Sequence, residues 1–209
     1  MDLLALNRIV VPVSVVLFFI LGMIWPTLRT YRRTGVWPIT LHRVTDPAQR
    51  VIGRAMSLSF AAIFAWAIAY AALGPSSLDV WQVPEAVVLA GWVVMVFGLL
   101  LMLLAQAQMG ASWRVGIDTA PTSLVTGGLF RVVRNPIFSA MLVMLAGLVL
   151  TTPSGWTVMG WLSAATLIVI QTRLEETHLL QLHGAAYRAY AARVGRFVPG
   201  VGVWPAAIV

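Results

Sequence analysis

Five apolar stretches without one formally charged residue divide this chain of 209 residues: 9–25, 55–73, 86–109, 137–152 and 156–172. Crossing the hydrocarbon core of a bilayer takes roughly 17 to 25 mainly apolar residues of helix. The third stretch is the longest. The last two are shorter and separated only by Pro153, Ser154 and Gly155, a break that reads as a tight helical hairpin. With 60% hydrophobic and only 10% charged residues, the chain lacks the polar shell that a water-soluble core of this size requires. The predicted fold is all-α, an integral membrane helical bundle of five transmembrane helices forming one membrane domain over residues 1–209. Within it, residues 1–109 form a three-span part. Residues 110–209 carry the hairpin and a cytoplasmic C-terminal helical segment.

All fourteen basic residues are arginine, and their distribution predicts the topology. Arg29, Arg32, Arg33, Arg43, Arg50 and Arg54 lie between spans one and two. Arg114, Arg131 and Arg134 lie between spans three and four, and Arg173, Arg188, Arg193 and Arg196 follow span five. Only Arg8 falls on the other side. The positive-inside rule then places the N-terminus outside and the C-terminus in the cytoplasm. The first stretch is preceded by Asp2 and Arg8, has no small-x-small cleavage pattern after it, and ends at Trp25-Pro26 followed by arginines. It is therefore expected to be a retained span rather than a cleaved signal peptide. The formal charge of +7 fits loops facing anionic lipid better than a nucleic-acid partner.

Composition also removes whole classes of chemistry. Without cysteine there is no disulfide, thiolate ligand or cysteine nucleophile, and without lysine no Schiff base forms on the chain. The three histidines, His42, His178 and His183, have no metal-ligand spacing, so no metal is expected. Carriers place polar or ionisable groups at mid-span; here none stands there, and Gln106 and Gln108 lie near one end of span three.

Chemistry concentrates in the arginine-bearing segments. Gly127 and Gly128 permit a tight bend or close backbone approach to a ligand. Asn135-Pro136 suits a helix start, asparagine as N-cap and proline in the first turn. Arg131 and Arg134 beside it are either headgroup anchors or, with the helix N-terminus, an anion site. Further on, Glu175 and Glu176 stand directly after a span, where an unpartnered carboxylate is costly. Glu176 pairs with Arg173 at i, i+3 in the simplest reading. Glu176, Leu179, Leu180, His183, Tyr187 and Tyr190 recur at steps of three or four and line one face if the helix continues.

The two segments LVTGGLFRVVRNPIFSAMLVMLAG and EETHLLQLHGAAYRAYAARVGRFVP together resemble the isoprenylcysteine carboxyl methyltransferase family and its bacterial relatives. That family has Arg-His/Asn-Pro-x-Tyr before a helical hairpin and Glu-Glu-x-x-Leu-x-x-x-Phe-Gly-x-x-Tyr-x-x-Tyr after it. The likeness covers residues 110–200 in the same order. It implies a methyltransferase of a bacterial inner membrane with an S-adenosylmethionine pocket facing the cytoplasm. It also implies a lipophilic or amphipathic acceptor entering from the bilayer, a carboxylate in the family's case. The alternatives are a phospholipid N-methyltransferase-like enzyme and a non-catalytic membrane scaffold that has kept the fold.

Carried over residue by residue, the resemblance implies Arg134, Glu176 and Arg193 as catalytic residues. It implies Asn135, Pro136, Phe138, Glu175, Glu176, Leu179, His183, Gly184, Tyr187 and Tyr190 as the cofactor site. A glutamate would serve the ribose or amino group and Arg134 or Arg193 the carboxylate of the cofactor. An amine or thiol acceptor would need a proton acceptor, with His183 or a glutamate as the candidates. Asn135 stands where eukaryotic members have histidine, Phe138 where tyrosine is usual, and His183 in place of phenylalanine before the glycine.

Overall fold

The computed structural model describes residues 3–39, 46–116 and 123–205; His42 and Arg43 lie outside the described residues. The architecture is all-helical. Helix α1 (Leu3–Phe19) passes through a π-helical turn (Ile20–Ile24) into α2 (Trp25–Thr34). Then come α3 (Pro47–Leu73), α4 (Glu85–Met109), α5 (Pro136–Thr151) and α6 (Gly155–Ala191). Among the described residues, four apolar helical segments are long enough to cross a membrane: Ala5–Thr34, Pro47–Leu73, Glu85–Met109 and Gly155–Ala191. Helix α5, with 16 residues, is about 24 Å long and is shorter than those four. It still runs between the two ends of the bundle. Its start hydrogen-bonds the 195–197 segment, and its last carbonyl, of Thr151, accepts from Asn7 Nδ2 at 2.9 Å near the N-terminus.

Local chemistry sets the boundaries. Asp46 caps α3 by accepting from Ala48 N, ahead of Pro47 in the first turn. Ser154 and Thr157 form a reciprocal capping box that starts α6 directly after the Pro153 turn. At the arginine-poor end, the Arg8 guanidinium donates to the carbonyls of Ala71 and Ala72, the last turn of α3. A cation there satisfies carbonyls that have no helical partner.

Helices α4 and α5 pack closest. A Cβ on Gly98 would stand 2.7 Å from Met144 N, and one on Gly147 would stand 2.7 Å from Met95 N. In lipid no hydrophobic drive separates helix from solvent, so small residues that let backbones approach supply the packing. The π-turn is matched by a polar partner: the Gly22 carbonyl accepts from buried Gln106 Nε2 at 2.7 Å. Such a turn leaves a carbonyl without its usual helical donor, and hydrocarbon offers none in its place.

Helix α6 runs well past the apolar stretch that begins it. From Gly155 to the break at Gly184 it is already about 44 Å long, so its second half projects beyond a 30 Å hydrocarbon core. Gly184, at φ 52° and ψ −123°, breaks its regularity in a conformation open only to glycine.

Candidate active site

At the arginine-rich end, the α5 start, the second half of α6 and the C-terminal segment fold over one another. Arg134 N donates to Gly195 O at 2.8 Å and Asn135 N to Arg196 O at 3.1 Å, in a short parallel bridge between Val133 and Gly195. Ser139 Oγ adds a bond to Phe197 O, and Trp204 N reaches Ala191 O. Tyr187 and Tyr190 pack beneath this cover, with Trp204 edge-on to Tyr187 at 5.7 Å.

Glu176 is the electrostatic centre of that junction. It is 1% exposed. Its Oε1 accepts from Arg134 Nε at 3.1 Å, and its Oε2 accepts from Arg196 Nη2 at 2.8 Å. Asn135 Nδ2 joins at 3.3 Å. The carboxylate therefore ties α5, α6 and the C-terminal segment together. The Arg173 pairing expected at i, i+3 is not formed: Arg173 is exposed, and the tertiary partners take the carboxylate.

Arg134, 5% exposed, is likewise no headgroup anchor. Besides Glu176, its guanidinium donates to the carbonyls of Ala191, Val194 and Gly202. Four of its five N–H groups are thereby engaged. Asn135 occupies the N-cap position of α5, but its side chain makes no cap bond and turns to Glu176 and Arg196 O instead.

Beside this junction lies a cavity of about 280 Å³ with two chemically distinct ends. The polar end is lined by Arg134, Asn135, Gln171, Glu175, His178 and the two tyrosines. The apolar end is lined by Phe18 and Met23 of the first span, Met56 and Phe60 of α3, Met102 of α4 and Met141 of α5. Gly22 and Gln106 also reach the wall, so the π-turn is part of the cavity's construction.

Of the residues singled out from sequence, Arg134, Asn135, Pro136, Phe138, Glu175, Leu179, Tyr187 and Tyr190 line this cavity. Glu176 sits behind the wall as the hub. His183 has a buried Nε2 without a partner among the described residues and is not on the wall. Gly184 and Arg193 line a separate, shallower depression with Arg188. Arg193 is exposed there and donates to Ala189 O of its own helix. The Gly184 kink turns the helix between Leu179 and Tyr187, and the Tyr190 hydroxyl reaches Phe130 O at 2.5 Å.

The structure adds residues that spacing alone did not single out. Gln171 lies one turn before Glu175, and its Nε2 donates to Glu175 Oε1 at 2.8 Å. It was legible as the lone amide in the fifth apolar stretch, on the same helical face as Glu175. Arg196 was counted only as a loop charge. The residues from α1 and α3 carried no local signal at all. Among the described residues, no three histidine, aspartate or glutamate side chains gather into a group able to hold a metal.

A sequence model of the family described as phospholipid methyltransferase matches residues 86–186. The matched stretch is just under half of the chain and covers α4, α5 and α6 as far as the Gly184 kink. Helices α1 to α3, Tyr187, Tyr190 and the C-terminal cover lie outside it. No curated protein matches the chain significantly.

Proposed function

We propose that this protein is an integral membrane methyltransferase that transfers a methyl group from S-adenosylmethionine to a lipophilic or amphipathic acceptor. The observation that carries the reading is the two-ended cavity: both sequence motifs converge on its polar end, while its other end is lined by methionine and phenylalanine from the spanning helices. A polar cofactor and an apolar acceptor need such a boundary in order to meet. The match of residues 86–186 to a methyltransferase family supports the same class, and among acceptors it favours a phospholipid over the carboxylate suggested by the motif resemblance.

The residues present fit a cofactor of this kind. Glu175, His178 and Asn135 offer hydrogen-bonding groups to its polar parts. Arg134 is committed to Glu176 and three carbonyls and also interacts with the Tyr187 hydroxyl, so it shapes this end of the cavity. S-adenosylmethionine supplies an electrophilic methyl group. The chain's task is then to hold the acceptor atom in line with it and to keep water out, a positioning effect worth several kcal/mol of barrier. Glu175 or His178 would accept the proton if the acceptor is an amine. In this reading the chain crosses the membrane five times, with the C-terminus and the cavity's polar end cytoplasmic.

The test is calorimetric binding of S-adenosylmethionine and S-adenosylhomocysteine to the detergent-purified protein, followed by labelled methyl transfer into extracted phospholipids. Micromolar binding and labelled lipid are expected. No binding at millimolar ligand would remove the reading.

A further inference from the structure

Glu175 lines the cavity without a cationic partner among the described residues. Among the described residues its one hydrogen-bond partner is the neutral amide of Gln171, and it forms no ion pair. The two arginines at the adjoining junction, Arg134 and Arg196, are both held by Glu176. Arg114 also lines the cavity but is engaged in an interaction of its own, and His178 stands one turn further along α6. Gln171 is 4% exposed, and its buried Oε1 has no partner among the described residues although the residue lines the cavity. Its amide must present nitrogen to Glu175, because a carboxylate only accepts, and this leaves the carbonyl oxygen for something else. Two acceptor groups thus lie together on residues of the cavity wall, and among the described residues no cation pairs with either. A carboxylate at a membrane boundary is costly in that state.

We propose that Glu175 and the Gln171 carbonyl oxygen form a docking point for an onium cation brought by the ligand. The inference rests on the methyltransferase reading for the ligand's identity. Sulfonium and ammonium groups have the same chemistry here: a positive centre ringed by weakly acidic C–H or N–H groups that two oxygens can face. If the cation is the donor's sulfonium, the site distinguishes the charged donor from the neutral thioether left after transfer and so favours product release. If it is an ammonium, the site selects the acceptor's head. Gln171 is the positioning residue: its amide keeps the carboxylate turned into the cavity.

The experiment uses the full-length protein in detergent and two pairs of probes, each a cation with its neutral counterpart. One pair is S-adenosylmethionine and S-adenosylhomocysteine; the other is hexyltrimethylammonium and hexanol. The wild type is expected to prefer the cation in at least one pair. Glu175→Gln, nearly isosteric, should reduce that preference by about tenfold or more, as expected for loss of a close charge in a partly dry site. Gln171→Leu should reduce it by a smaller factor while keeping the carboxylate. A loss in the nucleoside pair assigns the sulfonium, and a loss in the ammonium pair assigns the acceptor. Preferences unchanged in both pairs, with unfolding midpoints like the wild type, would overturn the proposal. If neither nucleoside binds the wild type, the methyltransferase reading falls, and the ammonium pair still decides the onium site.

Discussion

Adjacent glutamates on one helix do opposite work here, and the difference comes from what tertiary structure puts beside each. Glu176 faces two arginines and an asparagine at the helix junction, whereas Glu175 faces the cavity with Gln171. Removing one member of a buried ion pair leaves the other charge without compensation, which costs about 3–5 kcal/mol. Glu176→Ala is therefore expected to destabilise by that order, read as a large fall in the unfolding midpoint in detergent. It would also lose ligand binding, since Arg134 and the C-terminal cover come loose together. Arg196→Ala should cost less, because Arg196 is partly exposed and Arg134 still holds Glu176. The sequence marked both glutamates as expensive and in need of partners. It could not tell them apart, because the partners of Glu176 lie 42 residues before it and 20 after it.

At the scale of elements, two departures from regular helix shape the cavity. The π-turn at Ile20–Ile24 carries Gly22 and Met23 to its wall, and Gln106 supplies the donor that the freed Gly22 carbonyl needs. Gln106→Leu leaves a buried carbonyl unsatisfied, a cost of about 1–3 kcal/mol. Differential scanning of the detergent-solubilised variant should show a lowered midpoint, and Gln106→Asn should not restore it because the side chain is shorter. The second departure is Gly184. A Cβ there is strained at the observed backbone angles whatever the free space around it, with a cost of roughly 1–3 kcal/mol. Gly184→Ala is expected to weaken cofactor binding through a displaced Tyr187 and Tyr190 while leaving α1 to α5 intact, so circular dichroism should barely change. The sequence placed this glycine within a site motif. The structure gives it a mechanical role outside the cavity, because the kink happens where the helix faces away from the wall.

For the whole molecule, charge and connectivity lead to a topology that can be measured. The chain has no cysteine, so single cysteines report without interference. Ser77, exposed between α3 and α4, and Gln181, exposed on the projecting half of α6, fall on opposite ends of the bundle. In intact cells an impermeant maleimide is expected to label Ser77→Cys and spare Gln181→Cys, with both labelled after lysis. The reverse pattern would invert the proposed orientation.

The amino-acid sequence by itself determined the helical class, the positions of the apolar segments and the clustering of polar chemistry at one end. These depend on local quantities: runs of uncharged residues, proline and glycine breaks, and the side of each loop on which arginine accumulates. What only the tertiary structure decided is which polar groups are spent and which are free. Arg134 proved to be a clamp for the C-terminal segment, Arg193 lay outside the cavity, and Gln171 and the methionine wall came into it from positions without a motif. Those assignments depend on pairings across tens of residues. A hydrogen bond satisfies a group only when packing delivers its partner, and no local pattern along the chain encodes that delivery.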